Sequence, residues 1–182
     1  MKRSVCLLAA LLLALSACNA MAEVMFKTEY FTLTLPSGWE VDTDSEEVKK
    51  DETFLGIFGS PEEIGMVVEV FLEYFDDFKD VSLWNMNEAE LKDYSDMLME
   101  DFADESPENL GVTTVGNIPF VFIKATDEYG EYLYAETMTN GNAIEFEAYI
   151  ADYDNEKTYP LKDEDIEQFK AILSTFQPVM GN

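Results

Sequence analysis

The sequence of 182 residues contains no histidine, two cysteines and a single arginine, Arg3. Without histidine, Ser-His-Asp and Cys-His nucleophilic catalysis and His-based zinc sites are excluded. None of the nine glycines forms a dinucleotide-binding, Walker A or nucleophile-elbow motif. Carboxylate pairs remain, but among 38 acidic residues a pair at any separation arises by chance. We therefore predict a protein that is not an enzyme and needs no cofactor.

Positive charge is also scarce, with 11 Lys and Arg against 38 Asp and Glu and a net charge of −27. Nucleic-acid binding depends on basic side chains that displace counterions from phosphates, so no nucleic-acid partner is predicted. An anionic lipid surface would repel the chain, so membrane contact would depend on a lipid anchor. This charge gives a self-repelling surface, or attracts a basic partner or divalent cations.

The one long apolar run is "VCLLAALLLAL" at residues 5–15, preceded by Lys2 and Arg3. A short basic start and a brief apolar core predict an export signal. The run is shorter than the roughly 20 residues of a transmembrane helix. The mature chain is therefore expected to span no membrane.

Two cleavage sites follow that apolar run. Residues 15–18 (Leu-Ser-Ala-Cys) resemble the lipobox of bacterial lipoproteins, in which the cysteine is acylated and becomes the first mature residue. Residues 20–22 (Ala-Met-Ala) offer the alternative, a soluble periplasmic chain that begins at Glu23. We favour the lipobox, with Cys18 as the lipid attachment site. Asn19 after the cysteine then implies the periplasmic side of the outer membrane in a Gram-negative host.

The domain organisation follows from this cut. Residues 1–17 are the signal peptide (1–22 with the alternative cut), residues 18–25 form a short tether, and residues 26–182 form one globular domain. Cys6 leaves with the signal and Cys18 carries lipid, so no thiol remains for a disulfide. The fold must be held by its apolar core, for which 13 phenylalanines are available.

Hydrophobic periodicity predicts an α+β domain with a central, mainly antiparallel sheet of about six or seven strands flanked by helices. A helix is expected after Asn87, which forms a capping pair with Glu90. A second helix is expected near the C-terminus, and Asn140-Gly141 predicts a two-residue hairpin. Alternating or apolar runs mark strands at residues 30–35, 39–41, 53–58, 66–74, 121–125, 131–139 and 144–150.

The opening strand followed by "LPSGWEV" (residues 35–41), the late meander and the ending "FKAILSTFQP" (residues 169–178) resemble the PsbP-like fold. That superfamily includes the extrinsic P subunit of the photosynthetic oxygen-evolving complex and many bacterial envelope lipoproteins of unknown role. The resemblance implies an α/β/α sandwich that binds or helps to assemble other proteins. It implies packing roles for Trp39 and Phe176, and it supplies no catalytic residues.

Residues 42–47 and 152–163 both begin with the D-x-D pattern of calcium loops. The second stretch departs from the EF-hand, because Lys157 replaces the glycine of position 6 and Asp163 replaces the glutamate of position 12. Whether either stretch binds a metal is left open by the sequence.

The segment "FDDFKDVSLWNMN" contains aromatic residues without a strand or helix period. Aromatic side chains of this kind anchor protein interfaces, although they could equally close the core. Phe75, Phe78 and Trp84 are therefore candidate interface residues. The predicted function is a non-catalytic exported lipoprotein that binds a protein partner of unknown identity or assists assembly at the cell envelope. The alternative is a soluble periplasmic binder of divalent cations or a small ligand.

Overall fold

The computed structural model describes residues 24–46, 48–152, 154–155 and 157–179. Within these residues the helices are α1 (Glu88–Asp101) and α2 (Asp163–Leu173). The strands are β1 (Val24–Lys27), β2 (Phe31–Leu35), β3 (Glu40–Asp42), β4 (Phe54–Gly59), β5 (Ile64–Tyr74), β6 (Glu108–Val115), β7 (Ile118–Thr126), β8 (Glu131–Thr139), β9 (Asn142–Asp152), β10 (Lys157–Tyr159) and β11 (Gln177–Pro178).

The strands form a large and a small sheet. The large sheet has eight strands in the order β3-β4-β5-β9-β8-β7-β6, and β10 adds to β9. Its centre is the antiparallel pair of β5 and β9, which stay in register from Ile64 opposite Asp152 to Tyr74 opposite Asn142. The small sheet has the order β1-β2-β11.

Side chains alternate along the central strands, so the large sheet has two faces with separate cores. The face that we call the phenylalanine face packs against α2 and the small sheet. The other, the tyrosine face, packs against α1. The phenylalanine face includes the buried residues Phe26, Phe31, Phe58, Phe120, Phe122, Phe146, Phe169 and Phe176. The tyrosine face includes the buried residues Leu83, Tyr94, Leu98, Phe102, Val121, Ile123, Ala125, Tyr132, Tyr134 and Met138.

Both predicted helices are present. The Asn87 side chain accepts hydrogen bonds from the N–H groups of Ala89 and Glu90, and the Glu90 carboxylate accepts one from the Asn87 N–H. This reciprocal capping box satisfies three backbone donors at the start of α1, as the sequence predicted. The apolar stripe of α2 is also confirmed, since Phe169 and Leu173 are fully buried.

The predicted hairpin is confirmed as well. Asn140 and Gly141 have positive φ values of 49° and 77°, the values that a two-residue turn of this type requires. Trp39 and Phe176, for which the resemblance implies packing roles, are buried in the core of the phenylalanine face.

The α+β class with a mainly antiparallel sheet is confirmed, whereas the layer arrangement departs from a simple sandwich. The large sheet has eight strands rather than six or seven, and a second sheet shares a layer with α2. The hydrophobic periodicity of the sequence did not predict β6, because β6 is an edge strand whose register is interrupted between Asn109 and Gly111. It also missed the short strands β10 and β11, and β1 begins at Val24, inside the segment predicted as tether.

The predicted signal peptide, Cys18 and both cleavage sites lie outside the described residues. Among the described residues, no helix combines the length and the apolar character needed to cross a membrane.

Candidate interaction surface

Residues 75–86, which we call the aromatic loop, connect β5 to α1 through two 3-10 turns. The loop is fastened to the hairpin between β8 and β9. The Phe75 N–H donates to the Gly141 carbonyl over 2.9 Å, and the Gly141 N–H donates to the Val81 carbonyl over 3.3 Å. The Asn140 N–H donates to Ser82 Oγ over 3.1 Å. These bonds give the loop a defined position on the sheet.

Gly141 is needed for this attachment. A Cβ atom at this position would lie 2.7 Å from the carbonyl oxygen of Phe75 and 2.9 Å from Cα of Lys79. Both neighbours are backbone atoms, so a larger residue would push the aromatic loop away from the hairpin. The glycine of the predicted turn therefore also sets the distance between the two segments.

The three candidate interface residues do not share one environment. Phe75 and Phe78 are half-buried and pack against the core of the tyrosine face, with their ring centroids 6.1 Å apart. The Phe78 ring also contacts Tyr94 of α1, at a centroid distance of 6.4 Å. Trp84 is half-buried and lies outside both cores of the described residues. None of the three is fully buried, so the interface role stays a prediction, and Trp84 is its strongest member.

The aromatic loop carries exposed acidic residues beside these rings. Asp76, Asp77 and Asp80 are exposed, and Lys79 is the exposed basic residue among them. The Phe75 and Phe78 rings therefore lie in an acidic stretch of the chain.

A buried carboxyl group joins α1 to the sheet. Glu136 on β8 is 1% exposed and accepts hydrogen bonds from two tyrosines. The Tyr134 hydroxyl on the same strand donates to Oε2 over 2.5 Å, and the Tyr94 hydroxyl of α1 donates to Oε1. Both oxygens of the carboxyl group are therefore occupied. We call this arrangement the Glu136 network.

Burial raises the pKa of Glu136 above its ordinary value of 4.5, because the charged form loses its hydration. The two tyrosine hydrogen bonds oppose this change, whereas the negative charges of Glu73 and Asp101 add to it. The pKa values of Tyr94 and Tyr134 are raised too, with burial as the main cause. The tyrosines therefore stay protonated as donors, and the network positions α1 without presenting a reactive group to solvent.

The sequence reasoning did not single out Glu136, although a signal was present. In the strand "EYLYAETMT", Glu136 alternates with the buried Ala135 and Thr137 and falls on the same face as Tyr132, Tyr134 and Met138. A carboxylate on an apolar face with two tyrosines nearby predicts a satisfied buried acid. It was overlooked because the chain contains so many other acidic residues.

Beside α1, the tyrosine face continues over β4, β5 and β9. We call this region the open half-face, because neither α1 nor α2 of the described residues covers it. On it Glu69 of β5 lies directly opposite Glu147 of β9, and Glu145 of β9 lies opposite the buried Glu136. The Tyr149 hydroxyl donates to Glu69 Oε1 over 2.9 Å. Carboxylates thus follow one another across three neighbouring strands.

Apolar side chains border these carboxylates. Phe54 of β4 is paired with Phe71 of β5, with ring centroids 5.1 Å apart, and Ile57 is paired with Glu69. All three apolar side chains are half-buried. The open half-face therefore combines an apolar strip with a row of acidic groups.

The second candidate calcium stretch is arranged differently from a calcium loop. Asp152 is buried, and its carboxylate accepts bonds from the Asn155 N–H over 2.9 Å and from Asn155 Nδ2 over 3.0 Å. These bonds lower the pKa of Asp152, with the Asn155 side chain as the largest cause. The chain then forms β10 from Lys157, which pairs back on β9, and Asp163 begins α2.

In the first calcium stretch, the carboxylate of Asp42 accepts bonds from the N–H groups of Asp44 and Ser45, which makes a turn. Among the described residues, no group of three or more acidic, histidine or cysteine side chains is placed to hold a metal ion. Glu47 and Glu156, members of the two stretches, lie outside the described residues.

No protein-family model matches the sequence, and no curated protein matches it. Among solved structures, the chain is similar to cyanobacterial PsbP (CyanoP) from Synechocystis sp. PCC 6803, with a TM-score of 0.52 and 14% identity over 91% of this chain and 99% of that one. A crystal structure of a protein from Bacteroides thetaiotaomicron VPI-5482 has a TM-score of 0.44 and 14% identity over 88% of this chain and 50% of that one. The first similarity shows that the chain has a PsbP-like fold.

Proposed function

We propose that this chain is a non-catalytic, exported lipoprotein that is anchored through Cys18 and binds a basic protein partner, or assists an assembly, at the cell envelope. The observation that carries the proposal is the aromatic loop, in which half-buried Trp84 stands outside both cores on a segment that is already fixed to the sheet. A fixed loop loses little conformational entropy on binding. Tryptophan is also among the residues most enriched at the centres of interfaces.

Charge supports a basic partner. The chain has a net charge of −27, and the aromatic loop adds Asp76, Asp77 and Asp80 around the rings. Complementary charge speeds association and disfavours acidic competitors, while the apolar anchor contributes the affinity. Another copy of this chain or an anionic membrane would be repelled.

The proposed anchor sets the distance of the domain from the membrane. Because β1 begins at Val24, the segment that joins it to Cys18 spans at most about 20 Å when extended. We propose a location on the periplasmic side of the outer membrane. We also propose that the domain is an α/β/α sandwich, with α1 on one side of the large sheet and α2 on the other.

The anchor is tested by mass spectrometry of the protein recovered from cells. We expect an acylated Cys18 at the N-terminus and loss of membrane attachment in Cys18→Ala. A chain that begins at an unmodified Glu23 would overturn the lipoprotein proposal and would favour a soluble periplasmic protein.

The interface is tested by cross-linking in intact cells with Trp84→Ala. We expect the cross-linked species of the wild-type protein to be lost, with an unchanged melting temperature. Trp84→Phe should restore part of the yield because it keeps an aromatic anchor. Tyr129→Ala, which removes an exposed aromatic residue in the turn between β7 and β8, serves as the control. Equal yields from Trp84→Ala and the wild-type protein would overturn the proposed role of the loop.

A further inference from the structure

The strand that follows the proposed anchor starts at one end of the domain. β1 begins with Val24, which lies opposite the last residue of β2. The chain turns directly after β2, where the Trp39 N–H donates to the Pro36 carbonyl over 3.2 Å. In this turn, a Cβ atom on Gly38 would lie 3.7 Å from Cγ of Pro61, in the connection between β4 and β5. β1 therefore starts beside the beginning of β5.

The aromatic loop lies at the other end of β5. Glu40, the first residue after the turn, is in register with Gly59, and Gly59 is in register with Val67. From Val67, β5 continues for seven residues to Tyr74, which at about 3.4 Å per residue is about 24 Å. The aromatic loop follows Tyr74 directly and is fastened to the hairpin between β8 and β9.

The start of β1 and the aromatic loop also lie on opposite faces of the large sheet. Phe26 of β1 packs on Phe58 of β4 in the core of the phenylalanine face, with ring centroids 5.3 Å apart. The aromatic loop contributes the buried Leu83 to the core of the tyrosine face. Each packed layer lies about 10 Å from the large sheet. Combined with the distance along β5, this gives a separation of about 30 Å between the start of β1 and the aromatic loop.

This separation exceeds the reach of the chain on either side of the described residues. The segment from Cys18 to Val24 spans at most about 20 Å when extended. Residues 180–182 continue from the small sheet, where the Val179 N–H donates to the Tyr30 carbonyl over 2.7 Å, and they span at most about 10 Å. Neither residues 18–23 nor residues 180–182 can therefore cover the aromatic loop.

We propose that the anchored domain stands with its aromatic loop directed away from the membrane, where the loop binds a protein surface in the aqueous compartment. This inference rests on the lipid anchor proposed at Cys18. The anchor holds the start of β1 near the bilayer, and the opposite end of the domain carries the exposed Asp76, Asp77 and Asp80. An anionic lipid surface repels these carboxylates, which favours the orientation with the loop outermost. A lipid headgroup or a membrane-spanning segment is therefore not the partner of the loop.

The orientation is tested with the full lipoprotein, purified in detergent and reconstituted into vesicles of phosphatidylethanolamine and phosphatidylglycerol that contain a lipid-linked acceptor dye. Glu62→Cys, in the connection between β4 and β5, and Asp77→Cys, in the aromatic loop, each receive a maleimide-linked donor dye. Both positions are exposed, and circular dichroism shows whether each variant is folded. Wild-type protein is the control, because an acylated Cys18 takes no label.

We expect energy transfer to the membrane dye to be about threefold stronger from Glu62→Cys than from Asp77→Cys, because the two ends of the domain are about 30 Å apart. Equal transfer from the two variants would overturn the inference, since the domain would then have no fixed orientation. Stronger transfer from Asp77→Cys would also overturn it and would place the aromatic loop at the lipid surface.

Failure of the anchor has a different signature from failure of the orientation. Wild-type protein that takes the maleimide dye and does not join the vesicles would contradict the lipoprotein proposal, and this inference with it. Wild-type protein that joins the vesicles unlabelled, with equal transfer from the two variants, would leave the anchor intact and remove only the orientation. The interface role of Trp84 is tested separately by the cross-linking experiment described above.

Discussion

The two faces of the large sheet differ in how they exclude water. On the phenylalanine face, Phe146 lies among rings from the small sheet, α2 and the segment after α2, with centroid distances of 5.6 Å to Phe31, 6.4 Å to Phe169 and 6.4 Å to Phe176. On the tyrosine face, the core covers only part of the strands and holds a buried carboxyl group. The first core is filled by rings of the large sheet, α2 and the small sheet, whereas in the second a hydrogen-bonded carboxyl group joins α1 to β8.

This difference affects how much a substitution on each face should change stability. Aromatic rings that meet edge to face in a closed core contribute to the free energy of folding through burial and packing. Half-buried rings such as those of Phe54 and Phe71 lose less surface to burial and contribute less to folding. Substitutions on the phenylalanine face should therefore lower stability more than substitutions at these half-buried rings.

The largest effect is expected for Phe146→Ala. This substitution removes a fully buried ring and leaves a cavity among Phe31, Phe120 and Phe169, which should lower the free energy of unfolding by about 3–5 kcal/mol. Urea unfolding followed by circular dichroism measures the loss. Phe71→Ala on the open half-face is the matched control, with an expected loss of about 1 kcal/mol. Similar losses from the two variants would contradict the distinction between the faces.

A smaller effect is expected for Tyr94→Phe, which removes one hydrogen bond from the buried Glu136 and keeps the ring. Because hydrogen bonds to charged groups are stronger than neutral ones, the free energy of unfolding should fall by about 2 kcal/mol. The same urea experiment measures it. Tyr74→Phe, at an exposed ring of β5, should cost less than about 0.5 kcal/mol. An unchanged stability in Tyr94→Phe would show that α1 does not depend on the network.

The Glu136 network should also make stability depend on pH. The pKa of Glu136 is raised in the folded state, so folded protein binds the proton more tightly than unfolded protein does. Its contribution to stability is therefore complete below the unfolded value near 4.5 and is lost as the pH rises through the folded pKa.

The measurement compares wild-type protein with Glu136→Gln, because the other carboxylates titrate equally in both. Relative to the variant, the wild-type protein should gain stability as the pH falls from 7 toward 4.5. Urea unfolding at several pH values gives the difference. A constant difference across that range would mean that Glu136 titrates at its ordinary pKa.

The smallest effect is expected for Asn87→Ala. Loss of the side chain that accepts from the Ala89 and Glu90 N–H groups should cost about 1 kcal/mol, as for other helix caps. Asn87→Asp keeps the acceptor and should cost little. Thermal unfolding compares the three proteins, and equal melting temperatures for the alanine and aspartate variants would show that the capping box is dispensable.

Local patterns predicted much of the fold. The capping pair of Asn87 and Glu90, the turn at Asn140 and Gly141, and the alternation in β2 and β9 each depend on residues that are close in sequence. The resemblance in residues 35–41 and 169–178 predicted the PsbP-like fold, and the similarity to the solved structure of cyanobacterial PsbP supports that prediction. The edge strand β6 was not predicted because its side chains show little alternation of burial and its register with β7 is interrupted between Asn109 and Gly111.

The candidate surfaces were harder to predict. The aromatic loop was recognised from composition, but the packing of Phe75 and Phe78 on the core of the tyrosine face depends on how the hairpin meets the loop. The open half-face depends on cross-strand pairs such as Glu69 with Glu147, which are far apart in sequence. A register of this kind becomes visible only when the whole sheet is assembled.

The pairing of β5 with β9 also affects the order of folding. Tyr149 and Glu69, which bond across this pair, are 80 positions apart in the chain, and Thr175 bonds the backbone of Thr34 across 141 positions. Non-local pairings of this kind slow folding, because a long loop must close before any contact forms. During synthesis, β5 has no central partner until residue 152 has been added. The central pair of the large sheet therefore forms late in synthesis, after β4, β5, β6, β7 and β8 have been made.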